Sequence, residues 1–469
     1  MTASPSSPSD SVIEPASSPK IWTAGTLRYT KGGIAILFFW LIWNDFFLML
    51  MEAVKPALTG ILMKDHGATN AQIALYTGTL SGILSMWINP VVSTISDRTR
   101  TRFGRRRPFL MVATPFAAFF LAAIPWAPEI WNWLSHFAFI AALGINKTQA
   151  IIVGIGILAF CFTVFNAVLT AIFTYFFWDV VPRELLGRFN AMGRIIGMIK
   201  AFVWNYWIFG LAEKHMHLIY GGMALAFFAI YMMSLLMVKE GEYPPPEPRK
   251  KGNVLIPIMG YFKECFGESR YVWIYAAVSV NYLAAAPGLY KLFYTRDVLG
   301  LSLDTIGKMA AWPTIIMIVL AYPLGALIDR TGKPVRLLIP TMFINASLSL
   351  LCYFFLRDKW TLLMANILSS VLGFFWGNCF SVLNVRAFPR EKLGQFSSAN
   401  AMTYNLVNTL MAWPVGMLFD YLNNYLYAYL WSFVCQALAG FMFIKVYLNF
   451  KRHHEHEHDH DKAPVVHAK

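Results

Sequence analysis

Long apolar runs recur along the whole chain and constrain its fold more than any other feature. Each run is about 20 residues long, which is the length of an α-helix that crosses the hydrocarbon of a bilayer. Only 14% of the 469 residues are charged, whereas a soluble protein carries about 25%, so we expect lipid to be the main solvent. We count twelve runs, near residues 33–60, 70–96, 108–127, 150–180, 187–211, 216–238, 270–294, 302–328, 335–356, 360–386, 393–419 and 425–449.

Two segments of the chain occur twice in similar form. Residues 182–189 read Pro-Arg-Glu-Leu-Leu-Gly-Arg-Phe, and residues 389–396 read Pro-Arg-Glu-Lys-Leu-Gly-Gln-Phe. A second pair, Asp-Arg-Thr, stands at 97–99 and again at 329–331, in each case after an apolar run. The sequence therefore predicts an all-α membrane protein with twelve transmembrane helices in two related six-helix halves. Halves that pack about a central axis are typical of proteins that carry a solute across a bilayer.

The composition between the apolar runs indicates where the halves begin and end. Residues 1–31 are rich in Ser and Pro and lack the apolar core of a signal peptide, so we predict a disordered cytoplasmic tail. A Pro-rich polar stretch predicts a cytoplasmic linker at 239–268, between an N-terminal half at 32–238 and a C-terminal half at 269–450. We predict that residues 451–469 form a His-rich cytoplasmic tail.

The formal net charge of +14 is concentrated in short loops. Basic residues follow every second span and are sparser in the other loops, which is the positive-inside pattern of a multi-pass protein. This pattern predicts a protein of the cell membrane with both termini in the cytoplasm. Nucleic-acid binding is not expected, because it needs a basic and solvated face. The five cysteines form no Cys-x-x-Cys pair, so neither a disulfide framework nor a zinc site is predicted.

The loop after the second span carries six arginines between residues 98 and 107. Asp97 can accept hydrogen bonds from these guanidinium groups, and Gly104 permits a tight reversal of the chain. Such bonds can form and break as two halves rock, so we predict a cytoplasmic gate. A loop that only sets topology and attaches to anionic lipid is the alternative, although such a loop would need no repeated Asp. The predicted gate residues are Asp97, Arg98, Arg102, Gly104, Arg105, Arg106, Arg107, Asp329 and Arg330.

Several stretches resemble one known family of transporters. Residues 78–84, 89–90 and 96–109 are similar to the span 2–3 signature of sucrose-type sugar transporters. Residues 179–190 and 293–300 are similar to the span 4–5 signature and to the end of span 7 in that family. The chain thus resembles the glycoside–pentoside–hexuronide cation symporters of the major facilitator superfamily. The resemblance implies cation-coupled uptake of a sugar by alternating access.

The sequence departs from this family at positions that bear on which cation is coupled to the sugar. Its sodium-using members carry two acidic residues in span 2, and Ser85 and Asn89 stand at those positions here. Hard cations prefer charged oxygen ligands, so a proton is the better prediction. Span 11 offers Tyr404 and Asn405 where the family has a lysine. The resemblance to sucrose transporters implies Asp179, near the end of span 4, as the proton site.

Counting along span 1 indicates a second carboxylate for coupling. Asp45 lies 12 residues after residue 33, about 18 Å along a helix and close to the middle of the membrane. Glu52 shares its helix face, lies further toward the outside and is predicted as a further coupling residue. A carboxylate in the membrane is costly unless it is protonated or paired, so Asp45 is a candidate either for coupling or for a structural ion pair. Its predicted partner is Arg194 or Lys200 in span 5.

Sugars need hydrogen-bonding groups and flat apolar faces. An Asn within a span can offer both a donor and an acceptor to hydroxyl groups. Taken singly, each such Asn or Trp can equally serve a contact between helices, so the prediction rests on the group. The predicted substrate-binding residues are Asn166, Arg194, Asn205, Asn281, Trp376, Asn378 and Asn405.

The His-rich tail contains His-Glu-x-x-His by alternation, but no folded domain follows that could use it in a zinc enzyme. We predict adventitious metal binding there at most, no cofactor beyond the coupling proton, and no enzymatic activity. The predicted function is proton-coupled uptake of a glycoside or disaccharide by a monomer in the bilayer. The alternatives are a sodium-coupled sugar symporter, or an exporter or carrier of a non-sugar organic solute.

Overall fold

The computed structural model describes residues 21–137, 144–243, 255–331 and 334–460. Among these residues, ten helices are long and apolar enough to cross a membrane. Two more helical segments, residues 70–98 and Leu393–Leu422, are not among these ten. The bounds are α1 Lys31–Asp65, α2 70–98, α3 Arg107–Leu134, α4 Lys147–Val180, α5 Arg183–Glu213, α6 Met216–Met237, α7 Ser269–Val298, α8 Leu303–Thr331, α9 Pro334–Phe355, α10 Lys359–Ala387, α11 Leu393–Leu422 and α12 Tyr427–His460. The prediction of an all-α membrane protein is confirmed.

Three of these helices contain a π-helical turn, in which one extra residue enters the backbone hydrogen-bond ladder. The turns lie at Leu75–Thr79 in α2, at Trp204–Ile208 in α5 and at Tyr294–Val298 in α7. The π turn of α2 contacts α11, and that of α5 contacts α8. The turns in α2 and α5 therefore lie where the two halves of the chain meet.

The larger of two main apolar cores lies mostly in the N-terminal half and extends onto α7, α8 and α11 of the other half. The core of the N-terminal half joins α1, α3, α4 and α6, and its largest fully buried side chains are Phe162, Phe176, Tyr220, Phe227 and Tyr231. The core of the C-terminal half joins α7 with α9, α10, α11 and α12, and its largest fully buried side chains are Tyr275 and Phe443. The outer face of α6 exposes Leu218 and Leu225, as expected for a surface that contacts lipid.

A short hairpin precedes α1, within the region that the sequence predicts to be disordered. Strand β1, Trp22–Ala24, pairs antiparallel with β2, Leu27–Tyr29. Gly25 sits at the turn with a φ of 57°, a conformation that glycine adopts without strain. The hairpin packs its apolar side chains against the N-terminal core. Residues 1–20 lie outside the described part of the chain.

The connection between the halves is partly helical. A linker helix, Leu255–Phe266, precedes α7 within the predicted linker. Glu242 donates its backbone N–H to Thr26 of the hairpin at 2.9 Å. The start of the linker is therefore held on the N-terminal half, and its end packs against α7 and α11 of the C-terminal half.

Candidate transport cavity and its two faces

A cavity of about 660 Å³ lies between α1, α4 and α5. Its polar lining consists of Asp45 from α1, Thr170 and Thr174 from α4, and Asn190, Arg194 and Lys200 from α5. Its aromatic lining consists of Phe173, Phe177, Trp178 and Phe189. A few polar groups set among aromatic faces, in a volume of this size, are the features of a small-molecule site.

Asp45 is a half-buried carboxylate inside the first spanning helix, α1. It lies 14 residues after Lys31, about 21 Å along the helix at roughly 1.5 Å per residue. Lys200 is close enough for its charge to act on Asp45, and Arg194 shares the cavity with both. Neither cation forms a direct ion pair with Asp45 within the described residues. The carboxylate therefore faces two cations across a space that a ligand can enter.

Beyond the cavity, polar groups of α1 and α4 continue to face one another. Glu52 accepts a hydrogen bond from the Thr170 hydroxyl at 3.0 Å. Lys55 is only 7% exposed and donates its Nζ to Thr163 Oγ1 at 2.6 Å. Asn166 is buried one turn from Thr163, and its side-chain oxygen has no partner within the described residues. Sequence analysis missed Lys55, although a lysine inside an apolar run is itself a signal.

The C-terminal half contributes an aromatic cluster. The rings of Tyr282 and Tyr404 stack with centroids 4.2 Å apart, and Trp376 lies 6.3 Å from Tyr282. Asn281 and Asn405 adjoin the two tyrosines in sequence, and neither side chain has a hydrogen-bond partner among the residues described. The cluster thus combines flat rings with free amides, which is the chemistry that a sugar requires.

Two carboxylates hold the arginine loop (residues 97–107) onto the N-terminal half. Arg105 donates to both oxygens of Asp179, at 2.8 and 2.9 Å. Arg106 is 3% exposed and donates to Asp97 at 2.5 Å and to Asp179 at 3.3 Å. Asp179, the family-implied proton site, therefore has two guanidinium partners at the end of α4. The loop is thereby joined to both α2 and α4.

The start of the linker closes over the same loop. The Glu240 carboxylate accepts hydrogen bonds from the backbone N–H of Arg106 at 3.0 and 3.1 Å, and the Arg105 guanidinium lies 4.0 Å from the Tyr243 ring centre. Burial alone would lower the pKa of Arg105, but the hydrogen bonds and charge of Asp179 outweigh it and raise that pKa. Burial, with the charges of Glu240 and Asp179, also raises the pKa of Tyr243. Both groups therefore keep their usual charge states at neutral pH.

Gly104→Ala is expected to destabilise the loop. Gly104 has a φ of 106°, and an added Cβ would lie 2.2 Å from the Glu240 carboxylate. We expect the free energy of unfolding to fall by about 1–3 kcal/mol, because a strained backbone and a displaced carboxylate both contribute. The matched control is Gly187→Ala, where an added Cβ meets nothing within 4 Å. Thermal unfolding in detergent measures both, and equal midpoints for the two variants would contradict this geometry.

The opposite face of the molecule, formed by the ends of α1, α5, α7 and α11, joins the two halves. Asp420 at the end of α11 accepts hydrogen bonds from the backbone N–H groups of Asn70 and Ala71, at 2.7 and 2.8 Å. Arg296 of α7 pairs with Asp65 of α1 at 2.5 Å. Sequence analysis did not find Asp420, since no local pattern links residues 350 positions apart. The cavity lies on the arginine-loop side of these contacts.

Small residues allow the helices to meet closely at these contacts. A Cβ at Gly82 of α2 would lie 2.1 Å from the Thr409 hydroxyl of α11. A Cβ at Gly307 of α8 would lie 2.2 Å from the backbone oxygen of Asn205 in α5. Asn205 therefore contacts the other half through its backbone and does not line the cavity. Close approach of this kind is typical of glycine at packed membrane helices.

Asp420→Ala is expected to open the opposite face. Hydrogen bonds to a charged group contribute about 1.5–3 kcal/mol, so their loss should raise the open fraction by about tenfold or more. Maleimide modification of Ala412→Cys reports this fraction, because Ala412 of α11 lies against Gly78 of α2, where an added Cβ would be 2.8 Å from the Ala412 Cβ. The five native cysteines are replaced by Ser for this measurement. Asp358→Ala is the control, because Asp358 caps α10 within its own half. Equal labelling rates in the two variants would show that Asp420 does not close this face.

The other predicted residues lie apart from the cavity. Arg98, Arg102 and Arg330 are exposed. The side chain of Asp329 lies outside the described residues. Asn378 donates to the backbone oxygen of Phe374 in its own helix at 2.9 Å. Thus Asp45 and Arg194 are brought together in the cavity lining. Glu52, Asn166, Asp179 and Asn205 lie elsewhere on α1, α4 and α5, and the remaining predicted residues lie in the arginine loop or the second half.

The prediction on metal binding depends on where the possible ligand side chains lie. Across the residues that the structure describes, no group of three or more His, Cys, Asp or Glu side chains could hold a metal ion. The α12 helix continues to His460, but the side chains of the predicted His-rich tail lie outside the described set. The predictions on metal binding and cofactors therefore stay predictions.

A family model for "MFS/sugar transport protein" matches residues 32–384, which is well over half of the sequence. The chain belongs to this family. The membership confirms the resemblance to sugar symporters of the major facilitator superfamily. It also agrees with the prediction of a transporter and not an enzyme, since the family is one of transport proteins.

Two curated proteins are similar to this MFS/sugar transport protein over part of their lengths. A general alpha-glucoside permease of Schizosaccharomyces pombe is 26% identical over 180 residues, which cover 37% of the chain and 31% of the permease. Solute carrier family 45 member 3 of Mus musculus is 24% identical over 241 residues, which cover 49% of the chain and 41% of the carrier. The chain thus spans less than half the length of either relative.

Solved structures share the fold at low sequence identity. A variant of the nucleoside transporter NupG matches with a TM-score of 0.64 at 13% identity, over 87% of this chain and 99% of that one. The xylose transporter XylE from E. coli, in an inward-open conformation, matches with a TM-score of 0.58 at 15% identity, over 88% and 95%. The likeness establishes the fold and nothing beyond it.

Proposed function

We propose that the protein imports a glycoside or disaccharide together with a proton, by alternating access. The observation that carries this proposal is the 660 Å³ cavity in which one carboxylate, Asp45, faces Arg194 and Lys200 among aromatic side chains. Aromatic faces and fixed donors suit a sugar, and a carboxylate at the middle of the membrane suits a transferable proton. Family membership and the name of the alpha-glucoside permease support the sugar.

Proton and sugar can be coupled through the charge of the empty cavity. When Asp45 is ionised, its attraction to Lys200 and Arg194 draws α1 and α5 together. Protonation removes that attraction and frees both cations to donate hydrogen bonds to sugar hydroxyls. Sugar binding and protonation of Asp45 therefore favour one another, which couples the two ligands.

The two faces would act as alternating gates. Asp420 holds the opposite face shut through its bonds to residues 70 and 71. With the arginine loop in the cytoplasm, a carrier closed at that opposite face is in an inward-open state. The arginine loop would act as the cytoplasmic gate element, with Asp179 as its anchor rather than as the coupling site. We place the protein in the cell membrane as a monomer, with both termini in the cytoplasm.

Uptake by reconstituted liposomes tests the proposal. The purified protein is given an inward proton gradient and labelled sucrose, maltose or a monosaccharide, with and without a protonophore. Uptake of one sugar that collapses with the protonophore is the expected result. Uptake that needs sodium instead would replace the proton, and uptake of none of the sugars by the folded protein would point to a non-sugar solute.

A further inference from the structure

Lys55 is a buried charge that the cavity does not explain. Its side chain is 7% exposed and lies outside the lining of the 660 Å³ cavity. Its Nζ donates to Thr163 Oγ1 at 2.6 Å, and the ring centre of Phe162 lies 5.6 Å away. An ammonium group carries three N–H donors, and burying a charge within a membrane protein is costly without compensation. Among the described residues, Thr163 supplies the one hydrogen bond that this ammonium makes.

A chain of hydrogen-bonding oxygens leads from the ammonium toward α2. Thr163 Oγ1 of α4 lies 3.4 Å from Ser81 Oγ of α2, and Ser81 in turn donates to the backbone oxygen of Tyr76 at 3.1 Å. Glu52, one turn before Lys55 on α1, is close enough for its negative charge to act on the ammonium. Hydroxyl, carbonyl and carboxylate oxygens are the ligands that hard cations take.

We propose that Lys55 is an internal cation, which fills a site for a monovalent metal ion between α1, α2 and α4 and makes the protein unresponsive to sodium. The tethered ammonium supplies the positive charge beside Glu52 that a bound ion would otherwise supply. Asn166, one turn from Thr163 on the same face of α4, adds a buried side-chain oxygen that has no partner among the described residues. Removal of the ammonium leaves the Thr163 and Ser81 hydroxyls without a cation, while the negative charge of Glu52 remains nearby.

Sodium-dependent stability of the purified protein tests this site. A ligand that binds only the folded state raises the unfolding midpoint in a saturable way. Wild-type protein should unfold at the same temperature in sodium chloride and in choline chloride of equal ionic strength. Lys55→Ala should unfold earlier in choline and recover part of that loss as sodium is raised. The matched control is Lys31→Ala, which removes an exposed lysine of the same helix and should show no response to sodium.

A second pair of variants separates the site from a general effect of salt. Lys55→Met keeps most of the side-chain volume, so it should also gain a saturable response to sodium. The double variant Lys55→Ala with Thr163→Val removes a ligand oxygen and should lose most of that response. A sodium-dependent midpoint in the wild type, or no sodium response in either Lys55 variant, overturns the proposal. A failure of both variants to fold even in sodium overturns it too, because sodium would then be unable to replace the ammonium.

The exclusion of sodium from coupling rests on the proposed function, whereas the role of Lys55 as an internal cation does not. The test measures ion binding to the purified protein without any sugar. Failure to find a transported sugar would leave the sodium result standing. Conversely, a sodium response in the wild type would remove the internal-cation role of Lys55 while leaving sugar uptake to be decided in liposomes.

Discussion

Asp45→Asn is expected to abolish accumulation of sugar against a gradient while leaving sugar exchange intact. Asparagine has the size and hydrogen-bonding capacity of a protonated carboxyl group, but it cannot release a proton. One proton that moves down 100 mV supplies about 2.3 kcal/mol, which corresponds to roughly 50-fold accumulation at about 1.4 kcal/mol per tenfold. In the variant we expect the ratio of internal to external sugar to fall to about 1.

Sugar exchange, measured beside sugar accumulation, separates the loss of coupling from simple inactivation. Labelled sugar that enters liposomes preloaded with unlabelled sugar reports exchange, which needs no net proton movement. Asp179→Asn is the control, because Asp179 is bound to Arg105 and Arg106 outside the cavity lining. Loss of accumulation in Asp179→Asn with accumulation retained in Asp45→Asn would transfer the coupling role to Asp179, as the family resemblance implies.

Arg106→Ala is expected to destabilise the N-terminal half more than any other single change in the arginine loop. The buried guanidinium donates to Asp97 and Asp179, and also to the Ser96 hydroxyl. Hydrogen bonds to charged groups contribute about 1.5–3 kcal/mol each to stability. Since Arg105 still pairs with Asp179 in the variant, we expect the free energy of unfolding to fall by about 2–3 kcal/mol in total.

The exposed neighbour Arg98 provides a matched control for Arg106. Arg98→Ala removes the same side chain from the same loop at an exposed position, where substitutions usually change stability by about 0.5 kcal/mol or less. Denaturant unfolding of the two variants in one detergent gives the difference directly. If Arg98→Ala lost as much stability as Arg106→Ala, the loop would act through its overall charge and not through the ion pairs to Asp97 and Asp179.

The long apolar helices, and the presence of Asp45 within the first of them, could be predicted because both depend on length along the chain. Apolar runs of about 20 residues specify spanning helices, and a rise of about 1.5 Å per residue sets the depth of a side chain. The hairpin before α1 was missed, although Trp22 to Tyr29 alternate about a glycine turn, a local signal for paired strands. A Ser- and Pro-rich neighbourhood concealed that signal.

The contacts that define the two faces could not be predicted in the same way. Asp420 accepts hydrogen bonds from the backbone at residues 70 and 71. Asp179 pairs with two of the six arginines in the loop. Such pairings depend on how the helices pack and on which groups are left buried without partners. Composition and spacing indicate that a charged loop exists, but they do not indicate which carboxylate each guanidinium will meet.

The most direct test of proton coupling is to measure proton entry when sugar is added. Liposomes that contain the protein and an internal pH dye are held at equal pH on both sides, and the transported sugar is then added outside. Coupled transport predicts acidification of the interior in step with sugar entry for the wild type, and sugar entry without acidification for Asp45→Asn. Wild-type sugar entry with no change in internal pH would contradict the account.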